Sequence, residues 1–180
     1  MRQSDREVKD LKEIIEIMKR CDVCRLALND ESGFPYIIPL NFGLIVKNDS
    51  GTSAVPHDLR NIDSKDSVGI RLFFHGALEG TKIDLMRRDP RASFEMDCSH
   101  ELQYDSEKGF CTMAYESVIG HGILHILEEE EKLHALRALM DQYHPGQNAY
   151  FNPAAMARTL CYYLEIEALT AKCKLPMKLN

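Results

Sequence analysis

The sequence has no tryptophan, only six cysteines and no long apolar run, and these absences limit what the protein can be. No stretch approaches the roughly 18 apolar residues that a membrane-spanning helix needs. The charged segment from Met1 to Lys12 lacks the apolar centre of a signal peptide. Six cysteines are too few for a secreted disulfide framework, so we expect free thiols and a cytoplasmic protein.

The charge balance excludes further classes. Lysine and arginine number 22 against 28 aspartates and glutamates, which leaves a net charge of −6. Proteins that bind nucleic acid or an anionic membrane through general electrostatics carry the opposite sign, so we expect neither partner. A chain of 180 residues can bury a core of its own, and residues 1–180 are predicted to form a single domain.

Apolar periodicity predicts mainly strands, with helices between them rather than alternating with them. This arrangement favours an antiparallel β-barrel with peripheral helices over a doubly wound parallel sheet. Residues 47–67 are predicted to be a long surface excursion and 98–110 a polar loop. The predicted helices cover 6–20 (with Asp5 as N-cap), 80–89, 128–143 and a short segment from 153, and the six strands cover 21–28, 35–46, 68–75, 91–97, 111–127 and 160–169.

Proline and glycine mark two special positions in these strands. Pro39 cannot donate to a sheet ladder, so its strand is predicted to lie at an edge or to be irregular there. Gly120 and Gly122 fall on one face of a long strand, which suits a tight bend or a close approach of another backbone.

The clearest candidate for a binding site is the turn that joins the strand ending at His75 to the following helix. Gly80 precedes the helix, and Lys82 lies in its first turn. Amides at a helix N-terminus bind anions, whereas a cation there is disfavoured unless an anion is bound. The same spacing also fits a surface turn with a solvated lysine, and neither the Walker pattern nor the Rossmann fingerprint is present. His75 fits either a hydrogen-bonded structural histidine or a ligand contact.

Two metal-like or redox-like patterns are weaker. Cys21 and Cys24 form a C-x-x-C motif, but it closes a helix and opens a strand, the reverse of a thioredoxin-type site. His121 and His125 would lie about 13 Å apart on a strand, too far for one metal ion. We therefore expect no metal site.

Four segments in this order resemble the nitroimidazole-resistance (Nim) branch of the pyridoxamine-phosphate-oxidase-like, FMN-binding split-barrel superfamily. The similarity runs from about Arg6 to Leu169. Relatives tend to have a short hairpin where this chain has the 47–67 excursion. The segments are CRLA at 24–27, YIIPLNFG at 36–43, FHGALEGTK at 74–82 and ESVIGHG at 116–122.

The resemblance implies a six-stranded antiparallel split β-barrel that forms a homodimer with FMN at the interface. By motif, Gly80, Thr81 and Lys82 would hold the FMN phosphate. The flavin ring would be bordered by further residues: Pro39, Leu40, Asn41 and Phe42 through backbone groups, His75 and Gly76 beside the ring, and Ser117 and Val118 from the long strand.

The implied function is an FMN-dependent oxidoreductase that passes electrons from a reduced donor to a small-molecule acceptor, with nitro reduction as the activity of the branch. His75 is the candidate catalytic residue, as proton donor or orienter. Two alternatives stay open: a non-catalytic flavin- or haem-binding carrier or sensor, and a cofactor-free interaction protein that keeps only the barrel.

Overall fold

A computed structural model describes residues 4–46 and 69–176 of the chain. These residues form eight strands and four α-helices, with single turns of 3-10 helix at Ser4–Arg6 and Glu129–Glu131. The predicted excursion at 47–67 lies outside the described residues. In chain order the elements are β1 (Glu7–Val8), α1 (Leu11–Arg20), β2 (Cys24–Leu28), β3 (Tyr36–Leu40), β4 (Gly43–Val46), β5 (Ile70–Ala77), α2 (Thr81–Arg88), β6 (Arg91–Asp105), β7 (Phe110–Ile126), α3 (Lys132–Tyr143), α4 (Pro153–Met156) and β8 (Thr159–Lys174).

All strands belong to one antiparallel sheet with the order β3-β2-β6-β7-β8-β5-β4, and β1 pairs with β8 outside this path. The prediction of a mainly β, antiparallel fold with peripheral helices is therefore confirmed. The described sheet has eight strands instead of six, and no ladder joins its two ends among the residues described. The closed six-stranded barrel consequently stays a prediction.

The connection between β3 and β4 dictates the curvature of the sheet. These strands stand at opposite ends of the strand order, yet only Asn41 and Phe42 separate them in the chain. The three steps from Leu40 to Gly43 span at most about 11 Å, so the sheet curls until its ends approach. Pro39 lies in β3, at an end of the strand order as predicted, but the break in the predicted strand 35–46 falls at Asn41 and Phe42.

Several predicted boundaries were wrong, two of them because of long-range strand pairing and one because of a local helix cap. Residues 98–105, predicted as loop, continue β6 because they pair with β7. The final strand extends to Lys174 for the same reason, since it pairs with β7 as far as Tyr115. The first helix begins at Leu11 because Asp10, not Asp5, accepts the capping hydrogen bond, from the amide of Lys12 at 2.9 Å.

The main core lies inside the curled sheet and is closed on one side by α1. Strand residues point inward at every second position, as the alternation predicts. A smaller apolar cluster lies under α3 on the other face of β5 and β8. The main core includes Ile15, Met18, Leu26, Phe42, Phe74, Phe94, Val118, Tyr162 and Leu164, and the smaller cluster comprises Phe73, Leu127, Ala135, Ala138 and Cys161. No helix in the described part of the chain has both the length and the apolarity that crossing a membrane requires.

The predicted role of the two glycines on β7 is confirmed by their surroundings. A Cβ on Gly122 would lie 1.8 Å from the carbonyl oxygen of Glu165 on β8, and one on Gly120 would lie 2.5 Å from the Phe94 ring. The register of β7 against β8 also shifts at Gly122. The backbones of β7 and β8 approach this closely only because residue 122 has no side chain.

We expect Gly122→Ala to destabilise the protein strongly, because the clash is with backbone that cannot move aside. Overpacking of this kind costs about 1–3 kcal/mol or more, so the expected loss in the free energy of unfolding is about 3 kcal/mol. Urea unfolding at one fixed protein concentration measures it. The control His121→Ala alters the adjacent exposed side chain and should stay within about 0.5 kcal/mol of the wild type. Equal midpoints for the two variants would contradict the close approach.

Candidate functional site

The candidate site lies where β5 ends and α2 begins. Gly80 caps α2 with φ of 123°, a backbone conformation that a residue with a side chain rarely adopts. No side chain caps the helix; the amides of Ile83 and Asp84 donate to the carbonyl oxygen of Gly80 at 2.8 and 3.2 Å. The first amides of the helix point away from its body and have no intrahelical acceptor. This terminus is therefore suited to an anion.

Lys82 lies across the end of β5 instead of extending into solvent. A Cβ on Gly76 would lie 2.5 Å from its Nζ, so residue 76 must be glycine for the ammonium to occupy this position. Nζ also lies 5.8 Å from the centroid of the Tyr162 ring. Burial lowers the pKa of Lys82. Within the described parts of the chain no carboxylate forms an ion pair with it, so the ammonium is held half-buried without a counter-charge.

His75 lies at the exposed end of the same strand, opposite Cys161 on β8. Burial, and then the positive charge of Lys82, lower the pKa of His75. Its imidazole is therefore neutral at pH 7, and one ring nitrogen is free to accept a proton. An anion placed beside both side chains would reverse the effect of Lys82 and favour the protonated ring.

Tyr162 is a part of the site that the sequence patterns did not identify. Its ring is fully buried, stacks on Phe74 at 5.4 Å between centroids and lies beneath Lys82. Its hydroxyl group is buried without a hydrogen-bond partner among the described residues. The alternation in the last strand places Tyr162 inward, but only the pairing of β8 with β5 places it under Lys82.

The predicted segment from Pro39 to Phe42 approaches this site from β3. Phe42 directly precedes Gly43, which pairs with Phe73, so Asn41 and Phe42 lie beside the end of β5. The amide of Phe42 donates to the hydroxyl group of Tyr143 at 3.1 Å, and that hydroxyl donates to a carbonyl oxygen of the α1–β2 connection. This amide is already used to hold α3 against the turn. Pro39 and Leu40 belong to the β2–β3 ladder, and Asn41 is exposed.

Ser117 and Val118 lie far from Lys82 in one chain. Tyr162 pairs with Ile126 on β7, and Val118 lies eight residues earlier on that strand, about 26 Å at roughly 3.3 Å per residue. The Val118 side chain is buried in the core, so it could reach a ligand only through its backbone. Ser117 faces the outer surface of the sheet. One chain therefore assembles His75, Gly76, Gly80, Thr81 and Lys82, with Asn41 and Phe42 nearby, but not Ser117 and Val118.

The described residues contain no group of three metal-ligating side chains. His121 and His125 lie on β7, as the strand prediction requires. An inorganic or organic phosphate fits the site at α2 on three counts: the uncapped helix N-terminus, the glycine at 76 that leaves space for Lys82, and an ammonium that has no counter-charge in the described part of the chain.

Comparisons with known proteins agree with this architecture. A solved structure from Bacteroides thetaiotaomicron VPI-5482, provisionally described as a 5-nitroimidazole antibiotic resistance protein, shares 26% sequence identity with this chain. The aligned region covers 92% of this chain and 85% of the chain from Bacteroides thetaiotaomicron, with a TM-score of 0.69. A search of the curated proteins gives no match.

Two more distant structures share the fold. The flavocytochrome Anf3 from Azotobacter vinelandii has 15% identity and a TM-score of 0.69, covering 100% of this chain and 74% of its own. The FAD and haem binding protein from Mycobacterium smegmatis has 16% identity and a TM-score of 0.69, covering 97% and 77%.

The family model for pyridoxamine 5′-phosphate oxidase matches residues 10–173, nearly the whole described length of the chain. The protein thus belongs to the pyridoxamine 5′-phosphate oxidase family and, within that split-barrel superfamily, is related to the nitroimidazole-resistance branch.

Proposed function

We propose that this protein is an FMN-dependent oxidoreductase, similar to nitroimidazole reductases, that passes electrons from a reduced donor to a small-molecule acceptor. The observation that carries the proposal is the half-buried Lys82 ammonium, which no carboxylate of the described residues pairs with, at the uncapped N-terminus of α2. Membership of the pyridoxamine 5′-phosphate oxidase family supports a phosphate-bearing ligand.

A mononucleotide is the flavin that this site suits best. The candidate site, which is the cradle formed by Gly76, Lys82 and the N-terminus of α2, offers one ammonium and one helix terminus. These match a single terminal phosphate group. Two structures with this fold are described as a flavocytochrome and as an FAD and haem binding protein, so the fold can accommodate larger cofactors. FMN is nevertheless our choice, because nothing in the described cradle offers a second cation for a diphosphate.

FMN would supply the redox chemistry, and the chain would bind, orient and shield it. Lys82 and the first amides of α2 would hold the phosphate group. Asn41 and the neighbouring backbone would border the ring, apart from the Phe42 amide that Tyr143 occupies. His75 would take up a proton at the unprotonated nitrogen of its neutral imidazole and would then return that proton from the imidazolium.

We further propose a homodimer of six-stranded split barrels, with a second copy on the outer face of the sheet. Every second residue of β7 lies on the same face as Ser117, and so do the residues that pair with them on the neighbouring strands. Several of these residues carry large apolar side chains that are exposed to solvent. Since Ser117 and Lys82 lie far apart in one chain, a complete site needs Ser117 from one protomer and Lys82 from the other. The large apolar side chains exposed on this face belong to Ile37, Leu102, Tyr104, Met113 and Ile119.

The visible absorption spectrum and the native mass of the freshly purified protein test the proposal. We expect a two-band flavin spectrum and a dimer carrying two FMN molecules, which reduces a nitroimidazole when a nicotinamide donor is supplied. A dimer that retains FMN but transfers no electrons would favour the carrier or sensor alternative. A colourless protein that takes up no FMN would refute the oxidoreductase.

Lys82→Met should weaken FMN binding roughly 10- to 100-fold, because a charge-assisted hydrogen bond contributes about 1.5–3 kcal/mol. Titration of the cofactor-free protein, followed by flavin fluorescence, measures the dissociation constant. The matched control Lys19→Met removes an exposed lysine of α1 that pairs with Glu16. Equal affinities for the two variants would place the phosphate elsewhere.

Tyr162→Phe should leave FMN affinity unchanged and should not lower stability. The ring beneath Lys82 is kept, and the hydroxyl group that is lost has no partner among the residues that the structure describes, so its burial costs about 1–3 kcal/mol in the wild type. Tyr162→Leu removes the ring and should weaken FMN binding about 3- to 10-fold. The affinities and urea midpoints of the two variants separate the contribution of the ring from that of the hydroxyl group.

The pH dependence of FMN binding should report His75. Its pKa in the free protein is below the ordinary value and should rise when the phosphate anion binds. The contribution of His75 to affinity is then complete below the free-state pKa and disappears as the pH rises above the bound-state pKa. The ratio of the wild-type affinity to the His75→Ala affinity should therefore increase as the pH is lowered from 8.5 to 5.5. Titration of the phosphate group affects both proteins equally and so cancels in this ratio.

The exposed His125→Ala variant should show no such change. With FMN fully bound, the nitroreductase turnover of His75→Ala should also fall below that of the wild type. A flat affinity ratio together with unchanged turnover would remove His75 from both binding and mechanism.

A further inference from the structure

Two thiols from distant parts of the sequence meet at the C-terminal end of α1. The Cys21 sulfur lies 3.3 Å from the carbonyl oxygen of Ile17, and the Cys98 sulfur lies 3.9 Å from the same oxygen. The two sulfurs are therefore within about 7 Å of each other. The two thiols are also close enough to interact electrostatically, since Cys98 contributes to the raised pKa of Cys21 after burial.

The backbone around Cys98 is irregular. The β6–β7 register shifts between Cys98 and Glu101, and Ser99 has φ of 57°, in the left-handed region that favours glycine. Ser99 Oγ donates to Glu116 Oε2 at 2.7 Å, and Arg20 pairs with Glu116 at 2.6 Å. These contacts hold the bulge against the end of α1, which keeps the two thiols together.

The two thiols differ in access. Cys21 is 2% exposed, whereas Cys98 is only partly buried. Burial raises the pKa of Cys21, so its thiol is protonated at neutral pH and reacts slowly with reagents in solution. A reagent from solution would therefore meet Cys98 first, with Cys21 positioned to react second.

Cys24, the partner of Cys21 in the C-x-x-C motif, is not part of this pair. It lies on β2 opposite Leu40, fully buried in the core, and its charged neighbours are Glu95 and Arg25. The spacing in the sequence pairs Cys21 with Cys24, but the fold places Cys98 next to Cys21 instead.

We propose that Cys21 and Cys98 are a redox-active dithiol that a low-molecular-weight disulfide converts to a reversible intramolecular disulfide. In the first step the Cys98 sulfur attacks the small disulfide, which forms a mixed disulfide and releases one small thiol. In the second step the Cys21 sulfur attacks the Cys98 sulfur and releases the second small thiol. The protein loses two electrons and two protons, which the two released thiols carry.

The closed state needs little movement. The helix end and the bulge are already in contact through Ile17, Arg20 and Glu116, so closing the bond to about 2.05 Å requires side-chain rotation and a shift of the irregular bulge. The disulfide would join residues 77 positions apart, and constraining so long a loop in the unfolded chain stabilises the folded one.

The experiment equilibrates the full-length protein with glutathione and glutathione disulfide at a series of ratios, then alkylates the remaining thiols and maps the peptides. We expect a Cys21–Cys98 linked peptide in the wild type, reversed by excess glutathione, and a melting temperature several degrees higher in the oxidised form. Cys24→Ser and the exposed-site control Cys111→Ser should form the same linked peptide.

Two variants test the order of the steps. Cys98→Ser should form no linked peptide at Cys21, and Cys21→Ser should keep glutathione on Cys98, because Cys21 is the thiol that displaces it in the proposed second step. Two results would overturn the proposal. One is a Cys21–Cys24 or Cys98–Cys173 link, and the other is a wild type in which Cys21 and Cys98 both stay alkylatable at every ratio. None of these readouts requires bound flavin, so the result is independent of the proposed oxidoreductase activity.

Discussion

The two-residue connection between β3 and β4 is the constraint on which the rest of the structure depends. It joins strands at opposite ends of the strand order, so the sheet must curl until those ends approach. Curling encloses the apolar faces of the long strands and requires close approaches that a side chain at Gly122 would prevent. It also brings the Asn41–Phe42 turn beside the end of β5, where Tyr143 of α3 holds it.

The end of β5 is electrostatically incomplete in the described chain. Lys82 is kept near Gly76 and over the Tyr162 ring, and its positive charge lies at a helix terminus that already favours anions. Desolvating an ammonium without a counter-charge costs free energy, which a bound phosphate group would recover. The same charge lowers the pKa of His75 and so couples the state of this histidine to the presence of an anion.

The two faces of the sheet have different roles in this account. The inner face is packed with apolar side chains, and the outer face exposes Ile37, Ile119 and the apolar side chains of the β6–β7 hairpin. Ser117 belongs to the outer face and Lys82 to the far end of β5, and only the proposed homodimer would unite them in one site. The Cys21–Cys98 pair lies apart from both regions, at the contact between α1 and the bulge of β6.

Local patterns in the sequence determined the element types, the inward-facing residues and the helix start at Gly80. Alternation, helical spacing and glycine conformation act over a few residues, so they can be recognised without the fold. The resemblance to the Nim branch extended this to the family and to the residues of the candidate phosphate site. Only the tertiary structure decided four other features. These are the order of the strands, the continuation of β6 through residues 98–105, the position of Tyr162 under Lys82 and the pairing of Cys21 with Cys98. Each of them depends on register between segments tens of residues apart, and no local pattern encodes register.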